Sequence, residues 1–275
     1  MADRRLTPRQ WGSERLESLE DLSISRIVPS ALTLLGLCSG ATAIALVLDQ
    51  NWKGAAAAIF CAMLFDMLDG RAARWLGADS RFGGQLDSLA DLVSFGVAPA
   101  VVVYTWSLSQ LGAAGWIAAL IFCASSAIRL ARFNAETARD EGATQAYPYF
   151  VGLPTPAAAG IMLLPLLLSF VLPNVFLRHP LFCLAFIAIT SVLMVSRVPT
   201  PSLKFIRFNR DGWIVTAVLI GLLAPIAAYA PWATLVVGLL SYLATIPFVV
   251  HRSRLDGVMQ APIPAAVLSK DDGDA

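Results

Sequence analysis

The sequence predicts an all-α membrane protein, a bundle of about eight transmembrane helices, and three observations carry that reading. Of 275 residues, 57% are hydrophobic and only 14% charged, too little charge to cover a water-soluble domain of this length. The apolar residues come in long blocks, several near the ~20 that span a bilayer. The cations are also segregated. Of the 20 Lys and Arg, eighteen fall in one alternating set of polar segments; only Lys53 and Arg178 fall in the other.

The expected spans are Ile27–Leu48, Gly54–Trp75, Gly83–Trp106, Leu111–Asn134, Leu153–Val171, Pro180–Ser196, Gly212–Tyr229 and Ala233–Val250. They are expected as helices because backbone groups in lipid must pair within their own segment. The blocks also lack the alternation of barrel strands. The cation bias puts both termini in the cytoplasm and requires an even number of spans, and Trp52, Trp75, Trp106, Trp213 and Trp232 fall near span ends, as interfacial aromatics do.

Three regions follow. Residues 1–26 are a cytoplasmic juxtamembrane segment, where Trp11, Leu16, Leu19 and Leu22 among charges fit either a surface-lying helix or a disordered tail. Residues 27–250 are the transmembrane domain, and 251–275 a polar tail expected to be disordered. No cleavable signal peptide is visible. The net charge of +1 gives no basic field for nucleic acid. Cys38, Cys61, Cys123 and Cys183 lie in apolar blocks without ligand spacing and read as packing residues. Gly36 and Gly40 form a GxxxG that fits close helix packing.

Four carboxylates need a reason to exist. Asp66 and Asp69 fall in the second expected span, Asp87 and Asp91 in the third. Each costs about 2.5–3.5 kcal/mol at a membrane-helix centre, less near an end. Asp66 and Asp69 are spaced i, i+3 and Asp87 and Asp91 i, i+4, so each pair shares a helix face. The connection from Arg74 to Gly83 is short and lies on the cation-rich side, so the helices can be antiparallel neighbours with the carboxylates converging. All-oxygen ligation suits a hard divalent ion, Mg²⁺ or Mn²⁺. Gly70 fits either ligand approach or helix packing. Arg74, two turns beyond Asp66, fits a phosphate contact.

Asp66-Met-Leu-Asp69-Gly70-Arg-Ala-Ala73-Arg74, eight residues, then Gly83-Gly-Gln-Leu-Asp87-Ser-Leu-Ala-Asp91 resembles the signature of the CDP-alcohol phosphotransferase family at every signature position. Leu86–Pro99, Arg129–Asn134 and Gly152–Gly160 further resemble the bacterial membrane-embedded phosphatidylserine synthases of that family. Pro29-Ser30 stands where relatives often carry Pro-Asn, followed in both by a threonine, here Thr33.

The resemblance implies a six-helix catalytic core with two further spans, a homodimer, and a bacterial inner-membrane location with the active site on the cytoplasmic side. It implies two metal ions on Asp66, Asp69, Asp87 and Asp91, with Asp91 as ligand, general base or both. The CDP-lipid would contact Pro29, Thr33, Asp69, Gly70, Ala73, Arg74 and Gly83. The implied substrates are CDP-diacylglycerol and L-serine, the latter held by Arg129, Arg132 and Asn134. The same signature would serve glycerol phosphate, inositol phosphate or choline. A divalent-cation transporter is the reading from another class, and it requires acidic groups continuing across the bilayer.

Overall fold

The computed structural model describes residues 24–77, 80–140, 150–172, 174–196, 199–200, 225 and 228–255. The described chain is an all-α bundle. Helix α1 (Ile24–Leu48) packs along α2 (Trp52–Leu76) and also against α3 (Arg81–Asp91). A π-helical turn (Leu92–Val97) joins α3 to α4 (Ala98–Trp106). Then come α5 (Ala113–Asp140), α6 (Thr155–Met162), α7 (Leu164–Val171), α8 (Pro180–Val195) and α9 (Pro231–Leu255). Two-residue strands β1 (Phe150–Val151) and β2 (Pro199–Thr200) pair antiparallel.

Among the described residues, four helical stretches are long and apolar enough to cross a membrane: Ile27–Leu48, Phe82–Trp106, Ala113–Ala135 and Pro231–Phe248. Helix α2 is as long, but carries Lys53, Asp66, Asp69, Arg71 and Arg74. Leu35, Ile117, Ile121, Ile189, Val192 and Val237 are exposed on outward faces, an apolar exterior that only lipid or another apolar partner solvates well.

The fifth expected span is two short helices with one axis. Pro165 has no N–H to bond a carbonyl one turn back, and the helix is interrupted at Leu163 (φ −77°, ψ −8°). The bonds Leu163 N–H to Ala159 O and Leu167 N–H to Leu163 O, both 3.0 Å, carry the axis through. This segment is apolar on all sides, so it is buried: Leu153, Ala158, Ala159, Met162, Leu163, Leu166 and Leu167 are all inaccessible. The seventh expected span and both terminal segments lie almost wholly outside the described residues. Helix α9 continues past the expected end at residue 250 to Leu255.

The π turn has a local cause. Pro99 cannot donate to Phe95 O, and the ladder shifts upstream so that Ala98 N–H bonds Val93 O, five residues back. The widened turn brings Ser94 against α1, where its hydroxyl donates to Gly36 O at 3.2 Å. Gly40 makes the approach possible: a Cβ there would lie 2.6 Å from Ser94 Cα. The GxxxG of α1 is thus a packing device that seats the turn directly after Asp91.

Gly40→Ala is expected to lower stability by about 1–3 kcal/mol through overpacking, read as a lower unfolding temperature in detergent. Gly238→Ala, where a Cβ meets nothing within 4 Å, is the control and should leave it unchanged or raise it.

Candidate active site

Helix periodicity delivers the carboxylates to one place. Asp66 and Asp69 sit one turn apart on α2, and Asp87 and Asp91 one turn apart on α3. Carboxylate oxygens of Asp66, Asp69 and Asp87 lie within 4.8 Å of one another. Asp91 stands beside this trio and lines the same cavity as Asp66. All four line one small cavity of about 10 Å³ with Thr33, Gly36 and Ser94, room for one water-sized species. A hard cation fits that donor set, because three anionic oxygens packed this tightly repel one another unless a positive charge or a proton intervenes.

Asp69 is 5% exposed, and α1 fixes its orientation. The Thr33 hydroxyl donates to Asp69 Oδ2 at 2.7 Å and also lies 3.1 Å from Pro29 O. Thr33, expected as a lipid contact, therefore also orients a carboxylate of the cluster.

A cleft of about 220 Å³ opens beside the trio. Pro29, Thr33, Asp69, Gly70, Ala73, Arg74 and Gly83 all line it, together with Asp87. Gly70 has open space where a Cβ would be, so helix packing does not require the glycine and access from the cleft is the better reason. Ser80 and Gly84 line the cleft too, although the sequence reading did not single them out. Ser80 is the N-cap of α3 and accepts from Gly83 N–H at 3.0 Å. The cleft therefore meets a helix N-terminus, whose partial positive charge favours anions.

The residues 26–200 match the model of the CDP-alcohol phosphatidyltransferase family. The chain belongs to that family. The chain is 38% identical to a CDP-diacylglycerol–serine O-phosphatidyltransferase of Mycobacterium leprae over 231 residues, 83% of this chain and 76% of the relative. Enzymes of the same name from Helicobacter pylori strain 26695 and Bacillus subtilis are 33% and 36% identical, over 71% and 64% of this chain and 81% and 91% of theirs.

The three residues expected to hold the acceptor part company in this family member. On α5, Arg129 turns toward the carboxylates and interacts electrostatically with Asp91. Its Nη1 donates to Thr155 Oγ1 at the start of α6, while its buried Nε has no partner among the described residues. Arg132, one turn on, instead donates to Val195 O at 3.0 Å and so caps the last turn of α8. Asn134 exchanges hydrogen bonds with Ser88 of α3, at 2.9 and 3.1 Å. Thr155, fully buried, lies within the stretch Gly152–Gly160, and a Thr following Gly-Leu-Pro at a helix start is the only sequence signal for it.

Asp66→Asn, Asp69→Asn and Asp87→Asn should each weaken Mn²⁺ binding to the purified protein by at least tenfold, measured by calorimetric titration. Thr33→Val should weaken it by roughly tenfold, the usual effect of losing a ligand's hydrogen-bond partner.

Proposed function

We propose that this protein transfers the phosphatidyl group of CDP-diacylglycerol to L-serine, yielding phosphatidylserine and CMP. The observation that carries the proposal is the convergence of all four signature carboxylates beside a cleft that Gly70, Ala73 and Arg74 line. The names of the relatives supply serine as the acceptor, and Arg129, whose buried Nε is unpaired among the described residues, is a fitting partner for its carboxylate.

Asp66, Asp69 and Asp87 would hold one or two Mg²⁺ or Mn²⁺ ions, which when bound neutralise diphosphate charge and polarise phosphorus–oxygen bonds. Arg74 and the N-terminus of α3 bind the donor's diphosphate oxygens. An apolar groove of about 600 Å³ adjoins the cleft through Arg74, lined also by Leu32, Leu68, Ala72 and Trp75, and suits the donor's acyl chains. Asp91, beside the trio and opposite Arg129, takes the proton of the serine hydroxyl. The serine oxygen then bonds to the lipid-side phosphorus, the bridging phosphorus–oxygen bond breaks, and its electron pair leaves with CMP. Arg129 orients the serine carboxylate, which aligns the hydroxyl for attack.

The cation bias supports a cytoplasmic active site in a bacterial inner membrane, and the family resemblance supports a homodimer. Transport has less support: α4 and α6 to α9 carry no Asp or Glu.

The test is release of labelled CMP from CDP-diacylglycerol with each acceptor supplied separately. Serine should be required, and Asp91→Asn should lower kcat about 100-fold or more. Arg129→Gln should raise KM for serine roughly 10- to 100-fold, as loss of a charged hydrogen bond does, with KM for the donor unchanged. Release that depends on an acceptor lacking a carboxylate would overturn the serine assignment.

A further inference from the structure

Arg129 is held by more than the helix that carries it. A guanidinium on a flexible stem loses rotamer freedom when it binds a carboxylate, so a site that fixes it beforehand binds better and aligns its ligand better. Thr155 accepts from its Nη1. The last helix packs against α6, which carries Thr155.

Helix α9 returns along α6 and α7 in the opposite direction. It starts with Trp232 edge-on to Phe170 at the end of α7, ring centroids 5.0 Å apart. Farther along, Leu239 rests on the bare backbone of α6, where a Cβ at Gly160 would lie 2.7 Å from Leu239 Cδ2. From that contact toward the carboxylate end, Thr155 is five residues back along α6 and Tyr242 three residues onward along α9. At 1.5 Å per residue these are about 7.5 and 4.5 Å along the axes, a difference that a tyrosine side chain spans. Leu239 and Tyr242 are i, i+3 and share a face. Tyr242 packs on the core with its hydroxyl oxygen buried, and it interacts electrostatically with Arg129.

We infer that Tyr242 is a positioning residue of the acceptor site, which together with Thr155 fixes the Arg129 guanidinium opposite Asp91. The inference rests on Arg129 being the acceptor's carboxylate ligand. A guanidinium only donates, and both oxygens can accept from it. Thr155 accepts from the fork on the α6 side, and the Tyr242 hydroxyl offers a second acceptor from α9, which leaves the remaining N–H groups for the acceptor substrate. Tyr242 lies beyond residue 200, where the family match ends, so the last helix gives this chain an acceptor-site element outside the signature-bearing core.

The experiment is steady-state kinetics on the full-length enzyme with Tyr242→Phe, Thr155→Val and Thr155→Ser, each in wild-type and Arg129→Gln backgrounds. Tyr242→Phe and Thr155→Val should each raise KM for serine roughly five- to tenfold, with KM for CDP-diacylglycerol, CMP affinity and unfolding temperature unchanged. Thr155→Ser should restore the wild-type KM. In the Arg129→Gln background neither substitution should have further effect, since the group they position is gone. An Arg129→Gln variant with unchanged KM for serine would remove the reading beneath the inference. A raised KM in Arg129→Gln with none in Tyr242→Phe would overturn the inference alone, as would equal effects of Tyr242→Phe in both backgrounds.

Discussion

Mutual repulsion among closely packed, buried and half-buried carboxylates governs this structure. Oxygens of Asp66, Asp69 and Asp87 lie within 4.8 Å of one another, and at an effective dielectric near 20 each such pair of charges costs roughly 3.5 kcal/mol. Asp91 adds a fourth carboxylate lining the same cavity. A membrane bundle has only modest stability to set against that cost. A bound cation would turn the arrangement from liability to binding site, and the surrounding elements hold the oxygens together where one would bind.

Each of those elements works through backbone or hydroxyl chemistry. Thr33 on α1 aims Asp69. Ser80 starts α3 at the cleft edge and places its N-terminus at the cleft. The π turn after Asp91 lets Ser94 lock onto Gly36 O, which ties α3 to the helix that carries Thr33. A shift of α1 would therefore disturb Asp69 and Asp91 together, although neither residue belongs to α1. On the far side Arg129 offsets some of the negative charge and connects the cluster to α6 through Thr155.

Much of this was legible in the sequence because helices convert spacing into position. The i, i+3 and i, i+4 carboxylate pairs predict two faces, and a short connection predicts that they meet. The seven residues expected to contact the donor all line one cleft. What stayed hidden depends on contacts between distant segments. Arg129 and Arg132 share a helix face in sequence, yet Arg132 reaches across to cap α8, and no local pattern separates the two. Tyr242 looks like one more aromatic in an apolar span until Gly160 shows how closely α9 lies on α6. The π turn and the break at Leu163 trace to Pro99 and Pro165, but a proline inside an apolar block does not itself say which way the ladder adjusts.

The most direct test of the account is the unfolding temperature of the purified protein in detergent, with saturating Mn²⁺ and with chelator. A ligand that binds only the folded state at 100 times its Kd stabilises by about 2.7 kcal/mol. The account predicts a clear rise with Mn²⁺ in the wild type, and a higher unfolding temperature in chelator with no Mn²⁺ response for the Asp66→Asn/Asp87→Asn variant, in which repulsion is relieved. A wild type that melts identically with metal and with chelator, and a double variant no more stable than it in chelator, would contradict the claim that cation binding balances this cluster.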